Sequence, residues 1–327
     1  MMKRSRLALS TALLTLAVGA VLVCAGCPAP PEQVLDDEDG LRGTIRISGA
    51  WALYPMVVKW ADLFRQEHPG VTIDVSAGGA GKGIADAIGG MVDIGMVSRP
   101  IHPEEEAQGA WWVPVVMDAV IPTINAQNPV LEELEAHGVT KDGLLDIWIT
   151  GNVKTWGELA GTSASDRINV YTRSNACGAA ATWASFMGHA QEDLLGTAVY
   201  GDPGLAQAVR TDPLGVGFNN LNYVFDANTG KPIPELRVLP LDLSGDGTLG
   251  PDEDFYGTLE EMLEAIADGR YPSPPSRTEY LVCNGRPTGL TAEFIRWILT
   301  EGQQYAPEAG YVPLTDEEIE EALARLQ

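Results

Sequence analysis

The chain has 327 residues, enough for two hydrophobic cores rather than one. It contains 45 acidic and 21 basic side chains, which give a formal net charge of −24 at pH 7. Such a surface repels nucleic acid and anionic membrane faces, so the composition excludes both as expected partners. An anion site on this chain would need cations close to it.

The first 26 residues have the features of a secretory signal. A short basic segment precedes an apolar run from Leu7 to Val23. The two small residues before Cys27 resemble a lipoprotein cleavage box, so we expect Cys27 to be lipidated and to anchor the mature chain outside the cytoplasm. An ordinary signal peptide is the alternative. Residues 27–42 are rich in proline and acidic residues, and they predict a disordered tether.

Beyond the tether, short apolar runs alternate with segments of helical periodicity. This βαβα order predicts an α/β sheet with helices on its faces. We place chain crossings near residues 119–125 and 270–282. The crossings predict a first lobe over residues 43–120, a second over 121–272, and completion of the first by 273–327. The predicted strands are Thr44–Ile47, Val71–Val75, Val92–Met96, Trp112–Val116, Ile168–Tyr171 and Glu279–Val282, and the helices are Tyr54–Gln66, Lys82–Ile88, Asp142–Ile149, Thr155–Leu159, Gly178–Met187, Ala292–Leu299 and Asp316–Leu326.

Three glycine-rich turns each follow a predicted strand and open a predicted helix. They are Ser48–Pro55, Gly78–Gly83 and Arg173–Ala179. Free backbone N–H groups at a helix start attract anions, and glycine lets a ligand approach the backbone. Three such turns in one chain, two of them containing a cation, predict an oxyanion site.

Four segments also resemble motifs of the periplasmic phosphate-binding proteins, in the same order along the chain. Ser48–Pro55 is similar to that family's Ser-Gly-Ser-Thr-Thr-Val-Tyr-Pro, and Asp93–Pro100 to its Asp-Ile-Gly-x-x-Ser-Arg. Gly151–Trp156 is similar to its Gly-x-Ile-x-x-Trp turn, and Arg173–Ala179 to its Arg-Ser-Asp-Gly-Ser-Gly-Thr anion loop. The resemblance extends from about Gly43 to the C-terminus.

The resemblance implies a two-lobed periplasmic binding protein-like fold of type II, with hinge crossings. It implies a monomer without enzymatic activity that binds a small anionic solute, with phosphate favoured, and delivers it to the permease of an ABC transporter. Arg173 matches the anion loop and could bind bidentately. Asp118 could accept a proton from bound phosphate, or be only a hinge or surface acid. The expected ligand-binding residues are Ala50, Trp51, Ala52, Ala80, Gly81, Lys82, Ser98, Arg99, Asp118, Arg173, Cys177, Gly178 and Ala179.

Several hydroxyl groups of the family motifs are missing here. A hydrogen bond to a charged group contributes about 1.5–3 kcal/mol, so we expect weaker phosphate binding than in a family member that keeps them. The loss leaves a binding or sensing protein for a different anionic ligand, inorganic or organic, as the main alternative, ahead of an enzyme or a structural lipoprotein. The replaced positions are Ala50, Trp51, Ala52, Ala80, Cys177 and Ala179.

Cys177 and Cys283 are the cysteines that remain after processing. Export would allow a disulfide between them, but sequence alone cannot place them within bonding distance. Cys177 lies at a predicted helix start close to Arg173, which predicts a lowered thiol pKa. The alternative is a small buried residue that fills the space of a serine.

Residues 242–253 fit the spacing of a twelve-residue EF-hand loop, with glycine at the sixth position for its sharp turn. We expect one structural calcium ion in this loop, and an acidic surface turn is the alternative. The oxygen ligands would be the side chains of Asp242, Ser244, Asp246 and Glu253 and the carbonyl of Thr248.

Overall fold

The computed structural model describes residues 40–327 and the backbone of residues 35–36. The predicted signal, the lipidation site at Cys27 and most of the tether lie outside the described residues. Among the residues that are described, no helix is both long enough and apolar enough to cross a membrane.

The described chain alternates strands with helices, which agrees with the predicted α/β class. The strands are β1 Leu35–Asp36, β2 Gly40–Gly49, β3 Gly70–Ala77, β4 Ile94–Val97, β5 Ala110–Asn125, β6 Asn169–Arg173, β7 Thr197–Val199, β8 Gly215–Asn220, β9 Phe225–Asp226, β10 Lys231–Pro232, β11 Leu236–Val238, β12 Ser276–Asn284 and β13 Val312–Pro313. The α-helices are α1 Tyr54–Glu67, α2 Ala80–Ile88, α3 Pro103–Ala107, α4 Leu131–His137, α5 Lys141–Trp148, α6 Trp156–Ala160, α7 Gly178–Phe186, α8 Gly201–Thr211, α9 Leu259–Ala267, α10 Gly289–Leu299 and α11 Asp316–Leu326.

One sheet joins all strands except the β9–β10 hairpin. Its strand order is β1-β2-β4-β12-β5-β8-β6-β7, with β3 paired to β2, and β11 and β13 paired to β5. β2 runs parallel to β3 and β4, and β6 runs parallel to β7 and β8. The central strand β5 is antiparallel to both β12 and β8. Two of the glycine-rich turns directly follow the ends of the parallel strands β2 and β6.

Buried apolar side chains form two clusters on this sheet. The first core draws on residues between Ile45 and Val116 and between Leu281 and Leu326. The second core draws on residues between Ala119 and Tyr271, together with Val312. Along β5, buried apolar residues up to Val116 belong to the first core, and those from Ala119 onward belong to the second. The lobe boundaries at 120/121 and 272/273 stay predictions.

The structure corrects the expectation of a short strand at 112–116 followed by a separate chain crossing at 119–125. Both belong to the single sixteen-residue strand β5. The strand is buried along most of its length, so its residues do not alternate between apolar and polar types, and periodicity could not show that it is continuous. Helices α3, α4, α8 and α9 were also not predicted.

Candidate functional site

The second and third glycine-rich turns meet in the structure. Gly79 precedes α2 with φ of +102°, and a Cβ there would lie 2.9 Å from the carbonyl oxygen of Ala176 and 3.1 Å from Nδ2 of Asn175. A Cβ at Gly178, the first residue of α7, would overlap the carbonyl oxygen and Oγ of Ser98. Only glycine permits this approach. The starts of α2 and α7, whose first N–H groups have no acceptor within their own helices, are thereby brought together with Ser98.

The first turn is tied to residues of the second core. The hydroxyl of Tyr223 donates to the carbonyl oxygen of Trp51 at 3.1 Å, and Nδ2 of Asn222 donates to that of Ala52 at 3.2 Å. Ala50 and Ala52 are buried, and the backbone N–H of Ala50 donates to Met96. Two of the three replaced hydroxyl positions of this turn, Ala50 and Ala52, are therefore buried packing residues.

Arg173 is the best-buried cation of the predicted set. Its Nη1 donates to Oδ2 of Asp202 at 2.6 Å, and both groups are almost fully buried. Its Nε and Nη2 donate to Oδ1 of Asn175 at 3.3 and 3.2 Å. Burial raises the pKa of Asp202, although the charge of Arg173 opposes that shift. The guanidinium thus lies beside the meeting turns, held by a carboxylate on α8 and an amide in its own loop.

The other two predicted cations, Lys82 and Arg99, each form an ion pair with a carboxylate nearby in sequence. Lys82 forms an ion pair with Asp86 one turn along α2, and the hydroxyl of Ser48 donates to the same carboxylate. Although burial opposes the shift, hydrogen bonds from Lys82 and Ser48 lower the pKa of Asp86. Arg99 donates to both carboxylate oxygens of Glu105, at 3.0 and 2.7 Å. Both cations are therefore already paired, so an anion that reached them would compete with a carboxylate.

The expected low pKa of Cys177 is wrong. Burial raises the pKa of its thiol and outweighs the nearby charge of Arg173. Its backbone N–H donates to Oε1 of Gln191 at 3.1 Å, so this N–H is not free for a ligand as expected. Cys177 and Cys283 are both buried and unbonded. Cys177 therefore behaves as a small packing residue at the helix start.

A buried polar network connects Arg173 to the strands between the two cores. Asp202, the partner of Arg173, accepts from Nδ2 of Asn220 at 2.6 Å. Oδ1 of Asn220 in turn accepts from Nη2 of Arg277 at 2.5 Å. Arg277 also donates to both carboxylate oxygens of Asp118 and, at 3.3 Å, to the hydroxyl of Thr182. Asp118 is thus paired with the guanidinium of Arg277 through both of its carboxylate oxygens.

After Arg277, Glu279 is the second ionisable residue of this network that was not predicted. Its side chain is fully buried. Its Oε1 lies 3.4 Å from Nη2 of Arg277, yet no described group donates a hydrogen bond to either carboxyl oxygen. Burial and the negative charge of Asp118 raise its pKa well above the usual range. The raised pKa favours the protonated form of Glu279, which could donate a hydrogen bond to Asp118. Sequence reasoning missed Arg277 and Glu279, although an alternating Arg-x-Glu in an apolar strand was an available signal.

The candidate calcium loop is ordered by its own hydrogen bonds. Asp242 is buried and accepts from the backbone N–H groups of Gly245 and Gly247 at 2.7 and 3.0 Å. Oε1 of Glu253 accepts from the N–H of Ser244 at 2.6 Å. Within residues 40–327, no three His, Cys, Asp or Glu side chains converge in a way that could hold a metal ion. Calcium binding stays a prediction, and it would require the carboxylates of this loop to rearrange.

Comparison with known proteins identifies the wider family. Residues 36–301 match the profile described as the PBP superfamily domain. The chain belongs to the PBP superfamily. Curated relatives include the phosphate-binding protein PstS of Bacillus subtilis, 26% identical over 326 residues that cover 97% of each chain. They also include PstS of Methanocaldococcus jannaschii, 25% identical over 91% of this chain and 89% of its own.

Solved structures show the same PBP superfamily fold. A Clostridium perfringens chain, assigned as a phosphate ABC transporter substrate-binding protein with bound phosphate, has a TM-score of 0.68 at 23% identity. The match covers 84% of this chain and 100% of that one. An ABC-type phosphate transport receptor from Vibrio cholerae has a TM-score of 0.59 at 21% identity, over 83% of this chain and 100% of its own. The predicted resemblance and the two-lobed α/β binding-protein fold are confirmed.

Proposed function

We propose that this chain is an extracytoplasmic solute-binding protein that binds phosphate or a related oxyanion and delivers it to the permease of an ABC transporter. The observation that carries the proposal is the meeting of two helix starts beside a buried arginine. The first N–H groups of α2 and α7 converge from the two cores, and Arg173 supplies the fixed positive charge. The relatives named phosphate-binding protein PstS, which align over nearly the whole chain, support the same assignment.

A calorimetric titration of the mature protein with inorganic phosphate, sulfate and arsenate tests this function. Arg173→Lys keeps the charge but loses the planar fork, so we expect about a tenfold weaker binding of phosphate. Arg296→Lys on α10 is the matched control, since that arginine is exposed and distant in sequence from the turns. If wild-type protein binds none of the three oxyanions, the function is rejected. If Arg173→Lys binds as wild type does, only the placement of the site is rejected.

A second candidate is a binding or sensing protein of the same fold for an organic anion. It is favoured by Trp51, whose indole stands in a ligand turn where the related motif has threonine. An aromatic ring offers a stacking surface that inorganic phosphate does not use. A thermal-shift screen with small carboxylates and phosphate esters separates the two, because a bound ligand raises apparent stability by mass action.

The attachment of the protein to a membrane is a separate part of the proposal. We infer that Cys27 carries the lipid, because two small residues precede it directly after the apolar run. Growth with a labelled fatty acid should label wild-type protein and leave Cys27→Ala unlabelled. Label retained by Cys27→Ala would reject this cysteine as the anchor.

A further inference from the structure

Two buried N–H groups near the meeting turns have no acceptor among the described residues. They are Nε1 of Trp51 and Nδ2 of Asn175. A buried donor without a partner costs about 1–3 kcal/mol, and native proteins pair nearly all such groups. A bound molecule placed beside these two N–H groups could supply the acceptor that each of them lacks.

The orientation of the Asn175 amide is determined by its neighbours. Its Oδ1 accepts from Nε and Nη2 of Arg173 and from the backbone N–H of Gly201, at 3.2–3.3 Å. Turning the amide over would set its NH₂ group against these donors, so the assignment of Oδ1 and Nδ2 is secure. Nδ2 consequently faces Gly79, 3.1 Å from where a Cβ would stand, at the start of α2.

Trp51, in the first turn, lies close to Gly201, which is itself a neighbour of Asn175. Its Nε1 lies 3.6 Å from the position that a Cβ on Gly201 would take. Gly201 is the residue whose N–H donates to Asn175. Trp51 of the first turn and Asn175 of the anion loop, each with one unpaired donor, therefore both lie close to Gly201.

We propose that Trp51 and Asn175 are ligand-binding donors that take over from the missing hydroxyls. The inference rests on the proposed function and names the donors of that site. The related motifs have threonine in place of Trp51 and aspartate in place of Asn175. Each exchange supplies an N–H group, and the second also removes a negative charge from the anion loop. Indole and amide N–H groups only donate, so neither can accept the proton of a P–OH group. Each donor binds a more negatively charged oxygen more strongly, so the site favours an oxyanion in its less protonated form.

Calorimetry with inorganic phosphate and with sulfate, on both sides of the second ionisation of phosphate, tests this inference. We expect Trp51→Phe to weaken binding of both anions about tenfold, and Asn175→Asp to weaken sulfate more, because it also adds charge. Wild-type protein should prefer the less protonated form of phosphate. Asn175→Asp should reduce or reverse that preference, since a carboxylate can accept the proton of the other form.

Two matched controls separate a ligand role from a structural one. Trp183 also has an unpaired buried Nε1, but it lies in the second core, so Trp183→Phe should leave affinity unchanged. Asn228→Asp adds the same charge at an exposed turn between β9 and β10. In ligand-free protein, Trp51→Phe should cost no hydrogen-bond stability, so its melting temperature should match or exceed that of wild type while its ligand-induced shift falls.

The outcomes for the two proposals are distinct. Wild-type titrations alone decide whether the protein binds an oxyanion. If wild type binds phosphate or sulfate while Trp51→Phe and Asn175→Asp match the controls, the donor assignment is overturned and the function stands. If neither anion binds wild type, the donor assignment falls together with the function.

Discussion

Asp118 and Arg277 face each other in register on β5 and β12, and the carboxylate accepts from Nε at 2.8 Å and from Nη2 at 3.1 Å. Both side chains are at most 5% exposed. The pair lies on the two strands along which the chain passes between the cores. A fixed, buried ion pair therefore holds the register of these strands where a binding-protein fold has its hinge crossings.

Asp118→Asn should destabilise the protein by about 3 kcal/mol, at the low end of the range for breaking a buried pair, because the amide still offers one acceptor. The loss arises because the guanidinium of Arg277 stays buried with less compensation. Urea unfolding measures the change. Glu293→Gln, which removes an exposed ion pair with Arg296, should change stability by less than about 1 kcal/mol. Equal effects of the two substitutions would contradict the importance of burial.

Glu279 should make stability fall as pH rises. An unfolded glutamate ionises near pH 4.3, and the folded pKa of Glu279 is raised well above that value. Below the unfolded pKa its contribution is fully present. Between the two pKa values the folded state binds one proton more, so stability declines by about 1.4 kcal/mol per pH unit.

Glu279→Gln should remove this decline, since the amide is neutral and can still donate to Asp118. The unfolding free energies of the two proteins, measured at several pH values between 4 and 8, should therefore diverge. The slope against pH should differ by about one proton, and the variant should be the more stable protein at neutral pH. Glu320→Gln, at an exposed position on α11, serves as control and should follow wild type. Parallel curves for wild type and Glu279→Gln would show that Glu279 does not hold its proton.

Cys177 should be inert toward alkylating reagents in the folded protein. Its thiol is buried, and burial raises its pKa, so little thiolate is available. Burial likewise raises the pKa of Cys283, to about 12. Peptide mass spectrometry after iodoacetamide treatment should find both cysteines unmodified in native protein and modified after unfolding. Rapid modification of Cys177 in native protein would instead support the lowered thiol pKa that its position beside Arg173 predicts.

Restoring one lost hydroxyl should strengthen phosphate binding. Ala80 is the first residue of α2 and is buried beside Gly79, so Ala80→Ser adds an O–H donor with a single extra atom. A charge-assisted hydrogen bond would raise affinity by at most about 1.5–3 kcal/mol. Calorimetry checks this against Ala107→Ser, an exposed change at the end of α3. Unchanged affinity would mean that this side chain does not reach the anion.

Calcium should bind to the loop of residues 242–253 in chelator-treated protein. Glu253→Gln should weaken binding strongly, because the two-oxygen ligand at the last position is lost. Asp252→Asn removes the same charge from the neighbouring exposed residue and should have a small effect. Absence of both heat and a melting shift at millimolar calcium would reject the site.

The glycine-rich turns were predictable because their chemistry is local. A strand, a glycine and a helix start are adjacent in sequence, and Ser98, Gly79 and Gly178 do lie together. The partners of the charges were not predictable, because they are supplied by distant segments. Asp202 reaches Arg173 from a helix that periodicity did not reveal, and Arg277 reaches Asp118 across 159 residues of sequence. Burial also reversed the expected effect of Arg173 on Cys177, since desolvation depends on the whole fold.

The continuity of β5 has a thermodynamic consequence. Val113 and Val116 on this strand belong to the first core, while Val120 and Ile124 belong to the second. The two clusters share this unbroken strand, so melting of one would fray the strand on which the other is built. We therefore expect the two halves of the molecule to unfold as one cooperative unit. Calorimetric and van't Hoff enthalpies of unfolding should agree, as they do for a single small domain.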